Sequence, residues 1–250
     1  MKKLFPLILL VIIFLFSIFI SIQIGATKIS ISNLLFDLKN GIGSSTETIV
    51  MMNIRLPRII LGILVGSGLA VSGVVVQGLF RNPLVEPGLI GVSTGSALAS
   101  SLCIVFLGSM NGSNYYILHI ASFVGAILAS FLVFGFSLRS GKIQTFELLL
   151  TGIGINAIAG ACIGFIVYFA SDTQLRSITF WSLGSIAGAN WNMIVKALPF
   201  LVLPYLFLPF FSRSLNVMQL GEREAAHLGF PVEAIKMGII LIICLIVGTC

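Results

Sequence analysis

The sequence predicts an all-α membrane protein, a polytopic bundle of transmembrane helices. Hydrophobic residues make up 58% of the 250 residues and charged residues only 9%, whereas a soluble domain carries about a quarter charged residues. The mean hydropathy is +1.13. Apolar runs long enough to cross a bilayer, which takes about 20 helical residues, recur along the chain. Together these observations exclude an ordinary soluble domain.

The apolar runs predict the order of the spans. They indicate helices near residues 4–24, 59–79, 88–108, 115–137, 148–170 and 195–211, and a last one from 237 to 250. The first run is longer than the roughly 7–15 residues of a signal-peptide core, which favours an uncleaved helix over a signal peptide. The last run is shorter than the about 20 residues that a span needs. We therefore expect the chain to be incomplete at its C-terminus.

Positive charge predicts the orientation of these spans. Lys2 and Lys3 precede the first run, and Lys and Arg are enriched on the cytoplasmic side of membrane proteins, so we expect a cytoplasmic N-terminus. Alternation of the spans then leaves Arg55 and Arg58 on the outer side, against this bias. Either a partner's carboxylates offset the two charges, or the arginines anchor the helix end at lipid headgroups.

The chain offers no residue constellation for chemistry of its own. Its four cysteines lie in apolar runs without metal-ligand spacing, and Gly141-Lys142 is followed by Ile143 rather than the Ser or Thr of a phosphate-binding loop. Basic residues are scattered, which argues against nucleic acid as a partner. Ionisable residues are almost missing from the centres of the spans, which argues against ion-coupled transport. We expect no catalytic residue, metal or cofactor, so ATP hydrolysis would belong to another subunit.

The longest charged stretch, residues 212–236, separates the sixth and seventh runs. We expect it on the cytoplasmic side, with a short helix beginning at Gly221. Glu222 and Glu224 would then lie in the first turn, where carboxylates interact favourably with the helix dipole.

The end of this short helix is also predicted. Ala225 and Leu228 continue it, Gly229 suits the left-handed position after its end, and Pro231 prevents continuation. We expect a second short helix to begin near Val232, which would complete a helix–turn–helix. Such a segment either rests on lipid or inserts into a groove of a cytoplasmic protein.

Small residues recur at four-residue spacing within two spans. Gly62 with Gly66, and Gly160 with Gly164, would let helix backbones approach closely. Tight helix packing is the first interpretation, and a permeation path lined by exposed backbone is the alternative.

Five motifs along the chain point to a known family. They are RLPR at 55–58, QGLFRNPLVEPGLIGVS at 77–93, LLLTG at 148–152, WSLG at 181–184 with Trp191 after it, and LGEREAAHLG at 220–229. In these motifs and their spacing the chain resembles the membrane-spanning permeases of type II ABC importers for iron–siderophore complexes, haem and vitamin B12. The resemblance covers nearly the whole chain.

The resemblance implies an architecture and a set of partners. Permeases of this family have ten helices, of which about six and a half would be present here as a single permease domain, residues 1–250, with residues 212–236 as its cytoplasmic coupling segment. Two permease subunits, identical or different, pair around a central path in the bacterial cell (inner or plasma) membrane. Each contacts a cytoplasmic ABC ATPase, and an extracytoplasmic binding protein delivers the substrate. Membrane lipid surrounds the pair.

The resemblance also implies roles for individual residues. Arg55 and Arg58 would dock the binding protein through salt bridges. The cytoplasmic gate would comprise Asn82, Leu84, Thr145 and Phe146, although Phe146 stands where relatives have a small polar residue. The contact with the ATPase would comprise Leu220, Gly221, Glu222, Glu224, Ala225, Leu228 and Gly229.

The function implied is ATP-driven import by alternating access. The chain would move a ferric siderophore, or haem or cobalamin, from the binding protein into the cytoplasm. The alternative is a stand-alone secondary or facilitative transporter of a small solute.

Overall fold

The structure, a computed structural model, describes residues 4–25, 46–107, 113–139 and 142–250. It is built almost entirely of helices, which confirms the predicted all-α class. Lys2 and Lys3, on which the predicted orientation depends, lie outside the described residues. The chain forms two compact units: Met1–Leu64 with Ile186–Lys196, and Val65–Ser185 with Ala197–Cys250.

The described residues form ten α-helices. Their bounds are α1 Leu4–Gln23, α2 Thr46–Val50, α3 Leu56–Phe80, α4 Val92–Leu107, α5 Ser113–Ser137, α6 Thr145–Phe169, α7 Asp172–Leu183, α8 Trp191–Met218, α9 Glu222–His227 and α10 Val232–Thr249. A π-helical turn, Met51–Arg55, joins α2 to α3, and a 3₁₀ turn, Pro87–Ile90, precedes α4. Between α5 and α6 lie two antiparallel strands of two residues each, β1 Leu138–Arg139 and β2 Lys142–Ile143.

Among the described residues, 6 stretches are long and apolar enough to cross a membrane. They are α1, the run Thr46–Phe80 (35 residues), α5, α6, α8 and α10. The predicted span at 88–108 is the exception. It consists of the 3₁₀ turn followed by α4, which has 16 residues, because Gly91 takes a left-handed conformation (φ 85°) between them and interrupts the helix.

The last helix begins earlier than predicted. A helix does begin at Val232, as predicted, but it runs without a break to Thr249 and is therefore not a second short helix. The apolar run in the sequence begins only at Met237 because Lys236 precedes it. In the fold, Lys236 is buried and paired with a carboxylate, which allows the apolar packing of α10 to start before this charge.

Helix α7 was not predicted as an element. It is only weakly apolar, and its start is fixed by Ser171 and Gln174, which form a reciprocal capping box. The Gln174 amide also donates a hydrogen bond of 3.0 Å to the carbonyl of Val105 near the end of α4. One side chain therefore satisfies backbone groups at two helix ends. The spacing Ser-x-x-Gln was the available sequence signal.

Helices α4 and α5 approach each other closely in the second unit. A Cβ atom built on Gly95 would collide with the Gly125 carbonyl and with Ala129, and one built on Gly125 would collide with Ala99 and the Gly95 carbonyl. At this contact each helix has two small residues four positions apart: Gly95 and Ala99 on α4, and Gly125 and Ala129 on α5. Ser100 and Ser122 add an interhelical hydrogen bond of 2.5 Å.

The glycine pairs chosen from the sequence are not packed in this way. Among the described residues, nothing lies within 4 Å of a Cβ atom built on Gly66, Gly160 or Gly164, and Gly62 meets only the tip of Ile186 at 3.7 Å. Among the described residues, close packing of small residues lies between α4 and α5 and not at these glycine pairs, because spacing alone does not reveal which helix faces which.

In the first unit, the π-helical turn packs against the end of α1. Met51 is buried with Ile22 and Leu56 around it. The indole nitrogen of Trp191 donates a hydrogen bond of 2.9 Å to the carbonyl of Met52. This contact ties the start of α8 to the same turn.

Candidate functional site

The turn after α3 has a geometry that exposes a leucine. Arg81 adopts a left-handed conformation (φ 51°), and the amide of Asn82 donates a hydrogen bond of 3.2 Å to the Gln77 carbonyl, closing the helix end. The Asn82 side chain accepts a hydrogen bond of 3.0 Å from the amide of Leu84. The Leu84 side chain, held by this turn, is 87% exposed.

The other two predicted gate residues begin helix α6. Thr145 is half-buried, and its hydroxyl donates a hydrogen bond to Oε1 of Glu222. Phe146 points away from the packed interior, with 71% of its surface exposed. The two residues therefore differ in environment: Thr145 is bound to another element, and Phe146 offers a large apolar side chain to whatever lies beside α6.

The short helix α9 has the predicted limits. Gly221 precedes it with φ 134°, a conformation that disfavours side chains, and Gly229 follows it with φ 84°. Ala225 is fully buried and belongs to the main apolar core of the second unit. Leu220 and Leu228, in contrast, are 71% and 62% exposed.

The residues of α9 thus fall on two faces. Glu222 and Ala225 turn toward the unit's interior, while Glu224 and Leu228 lie exposed. A face of exposed leucines beside a carboxylate is the pattern expected of a short helix that binds in a groove. The predicted contact set therefore divides into residues that hold α9 in place and residues that are free to meet a partner.

Glu222 joins three elements through its two carboxylate oxygens. Oε2 lies 2.7 Å from the ammonium nitrogen of Lys236 on α10, and Oε1 accepts the hydrogen bond of Thr145 on α6. We call Thr145, Glu222 and Lys236 the Glu222 cluster. It brings a predicted gate residue into contact with a predicted coupling residue, although the two are 77 positions apart in the chain. Lys236, the third member, was not identified as a site residue from the sequence.

Arg55 and Arg58 lie in different environments within the first unit. Arg55 is 8% exposed, and its guanidinium donates a hydrogen bond to the Ile22 carbonyl near the end of α1. Arg58 is exposed. Of the two arginines, Arg58 is the one whose charge is available to another protein here, while Arg55 satisfies a carbonyl at a helix C-terminus.

A second polar group, missed by sequence reasoning, lies in the second unit. The Asn156 amide on α6 donates a hydrogen bond of 3.0 Å to the Gly88 carbonyl and accepts one from the Thr94 hydroxyl. These residues line part of a cavity of about 400 Å³, together with Glu86 and Ser93. Within the described ranges, no three His, Cys, Asp or Glu side chains lie close enough to hold a metal ion.

The sequence pattern of the FecCD transport family matches residues 11–250. The chain belongs to this family. Among FecCD relatives, the hemin transport system permease protein of Yersinia pestis is 41% identical over 201 residues, which are 80% of this chain and 60% of that protein. The iron(3+)-hydroxamate import system permease protein of Bacillus subtilis is 36% identical over 252 residues, which are 98% of this chain and 74% of the relative.

The FecCD fold is also seen in a solved structure. An ABC transporter assigned to the metal-chelate type, in an inward-facing conformation, superimposes with a TM-score of 0.79 and 32% identity, covering 99% of this chain and 73% of that one. The chain thus spans between 60% and 74% of the length of these three proteins. Family membership and the structural match confirm the predicted all-α, polytopic permease fold.

Proposed function

We propose that this chain is the membrane-spanning permease subunit of an ATP-driven importer. It moves a ferric siderophore, haem or cobalamin from an extracytoplasmic binding protein into the cytoplasm by alternating access, as one half of a permease pair. Hydrolysis takes place on a separate cytoplasmic ATPase. Relatives named as hemin and iron-hydroxamate permeases support this substrate range.

The observation that carries the proposal is the two-faced helix α9. Its inner face is fixed by Ala225 in the core and by the Glu222 cluster. Glu224 lies exposed on α9, and Leu220 and Leu228 lie exposed just before and just after it. We assign this surface to the ATPase. A helix held firmly on one side can pass on a displacement imposed on the other.

The assignment of α9 is tested with a pair of variants of the full-length permease, purified with the ATPase encoded beside it. Leu228→Asp places a charge on the exposed apolar face and should abolish co-purification. Arg176→Gln, an exposed charge on α7 outside residues 212–236, is the control and should leave it intact. Retention of the ATPase by Leu228→Asp would contradict the assignment.

Transport itself is measured in proteoliposomes that contain the permease and ATPase, with the binding protein supplied outside. Uptake of a ferric hydroxamate, haemin or cobalamin should require ATP. Uptake that is equally fast without ATP would favour the stand-alone transporter instead.

We also propose that Arg58 and Arg55 form the docking patch for the binding protein in different ways. Arg58 contributes the exposed charge, and Arg55 fixes the end of α1 beside it through the Ile22 carbonyl. In nanodiscs, Arg58→Glu should weaken the binding of the binding protein by about tenfold or more at low salt and less at high salt, since exposed charge pairs are screened. Equal affinity of wild type and Arg58→Glu at both salt concentrations would refute the docking role.

A further inference from the structure

A buried lysine at the start of a membrane-spanning helix needs a specific reason to be there. The Lys236 side chain is 2% exposed and pairs with Glu222 at 2.7 Å. Burial of an ammonium group is unfavourable unless a partner compensates for the lost hydration. A simple headgroup anchor would instead extend the lysine toward water. The direction of this side chain, into the protein, therefore calls for another explanation.

Four elements surround Lys236: α9, which carries Glu222, and α3, α6 and α10, which line a small cavity. This cavity of about 10 Å³ is lined by Leu79 and Phe80 at the end of α3, by Thr145 and Leu148 at the start of α6, and by Ile240 on α10. The turn that contains the predicted gate residues Asn82 and Leu84 follows Phe80 immediately. The apolar lining of this cavity lowers the local dielectric constant, which strengthens the attraction between Lys236 and Glu222.

The two oxygens of Glu222 make different contacts. One holds Lys236 on α10, and the other holds Thr145 at the first position of α6. Both contacts are directional, so a displacement of α9 pulls on both helices, whereas apolar contacts alone allow sliding. Ala225, one turn further along α9, packs in the same core and prevents α9 from rotating in place.

We propose that Glu222 is a positioning residue that passes movement of α9 to the gate helix α6 and to α10, through Thr145 and Lys236. This inference rests on the proposed function, because it assumes that an ATPase displaces α9. It assigns Glu222 to the permease interior and not to the ATPase surface. It also makes Lys236 part of the transport mechanism.

The test measures the coupling ratio, the number of substrate molecules imported per ATP hydrolysed, in proteoliposomes of the full-length permease with its ATPase and binding protein. Glu222→Gln should lower this ratio about tenfold while co-purification with the ATPase is retained. Thr145→Val, which removes only the hydroxyl, should lower it as well. Thr145→Ser keeps the hydroxyl donor and should leave the coupling ratio at the wild-type value. Arg176→Gln, at an exposed charge on α7, serves as the matched charge-removal control.

A double-mutant cycle separates this proposal from a direct gate role of Thr145. If Thr145 acts through Glu222, then Thr145→Val causes no further loss when added to Glu222→Leu with Lys236→Met, a background that lacks the oxygen accepting from Thr145. Additive losses would overturn the proposal, and so would a coupling ratio that stays at the wild-type value in both single variants.

A further variant covers the case in which Glu222→Gln does not fold because the buried Lys236 ammonium has lost the Glu222 carboxylate. Glu222→Leu with Lys236→Met replaces the ion pair by apolar side chains of similar size, which buried pairs often tolerate. This variant should fold and lose coupling, and wild-type coupling in it would overturn the proposal. If the wild-type assembly shows no ATP-dependent uptake, the proposed function fails together with this inference. If the wild-type assembly shows ATP-dependent uptake and the variants keep the wild-type coupling ratio, this inference alone is overturned.

Discussion

The contact between α4 and α5 gives a prediction in which the same substitution has opposite effects at two positions. A Cβ atom on Gly125 would collide with the Gly95 carbonyl and the Ala99 side chain, whereas a Cβ atom on Gly160 meets nothing within 4 Å among the described residues. Gly125→Ala should therefore destabilise the chain. Gly160→Ala should be neutral or stabilising, because alanine has the higher helix propensity.

The magnitudes follow from the atoms involved. Overpacking of a close contact costs about 1–3 kcal/mol, and the upper value applies at Gly125 because a backbone carbonyl cannot rotate away. Replacement of glycine by alanine in a helix returns up to about 1 kcal/mol. The expected net loss at Gly125 is therefore about 2 kcal/mol, against a gain of up to about 1 kcal/mol at Gly160.

The assay is the free energy of unfolding in mixed micelles, measured by detergent titration and circular dichroism. Gly164→Ala is a second control, since that position is also open among the described residues. If Gly125→Ala is as stable as Gly160→Ala, α4 and α5 do not cross at this point, and the reasoning about their contact is refuted.

Three further predictions concern turns and helix ends. Gly229→Val should destabilise the end of α9 by about 1–2 kcal/mol, because φ is 84° there, and should weaken co-purification with the ATPase; Gly229→Asn should do so less. Asn82→Ala removes the acceptor of the Leu84 amide, so a cysteine at 84 should react with a cytoplasmic thiol reagent at a changed rate. Gln174→Ala should lower the melting temperature through the loss of about 1–2 kcal/mol. Gln174→Glu keeps the acceptor in the capping box but loses the donor to Val105, so it should lie between Gln174→Ala and wild type.

The sequence was sufficient for the class of fold and for most spans because hydropathy is a local property. A long apolar run indicates that a segment lies in the membrane, whichever helices pack beside it. The same logic failed at residues 88–108, where a left-handed Gly91 splits the run, and at Lys236, where a charge inside a helix looks like the end of a span. Both errors come from one residue whose meaning depends on its three-dimensional surroundings.

The limits of α9 were predictable for a related reason. Gly221, Gly229 and Pro231 act on their own backbone, so their effects can be read without knowledge of the rest of the fold. The two faces of α9 were not predictable in this way. Which side of a six-residue helix is buried depends on α6 and α10, and the contact with α6 joins residues 77 positions apart in the chain.

The Glu222 cluster shows why a charged residue can be a better guide to mechanism than an apolar one. Leu148 or Ile240 in this core could be exchanged for another apolar residue of similar volume at a cost below about 1.5 kcal/mol. Loss of Glu222 would instead remove the carboxylate that lies 2.7 Å from the buried Lys236 ammonium, and breaking a buried ion pair costs about 3–5 kcal/mol. Since an apolar pair would hold the helices together without this vulnerability, stability alone does not account for the choice of residues. Directional contact between α9, α6 and α10 does account for it, because an ion pair and a hydrogen bond on one carboxylate fix orientation as well as distance.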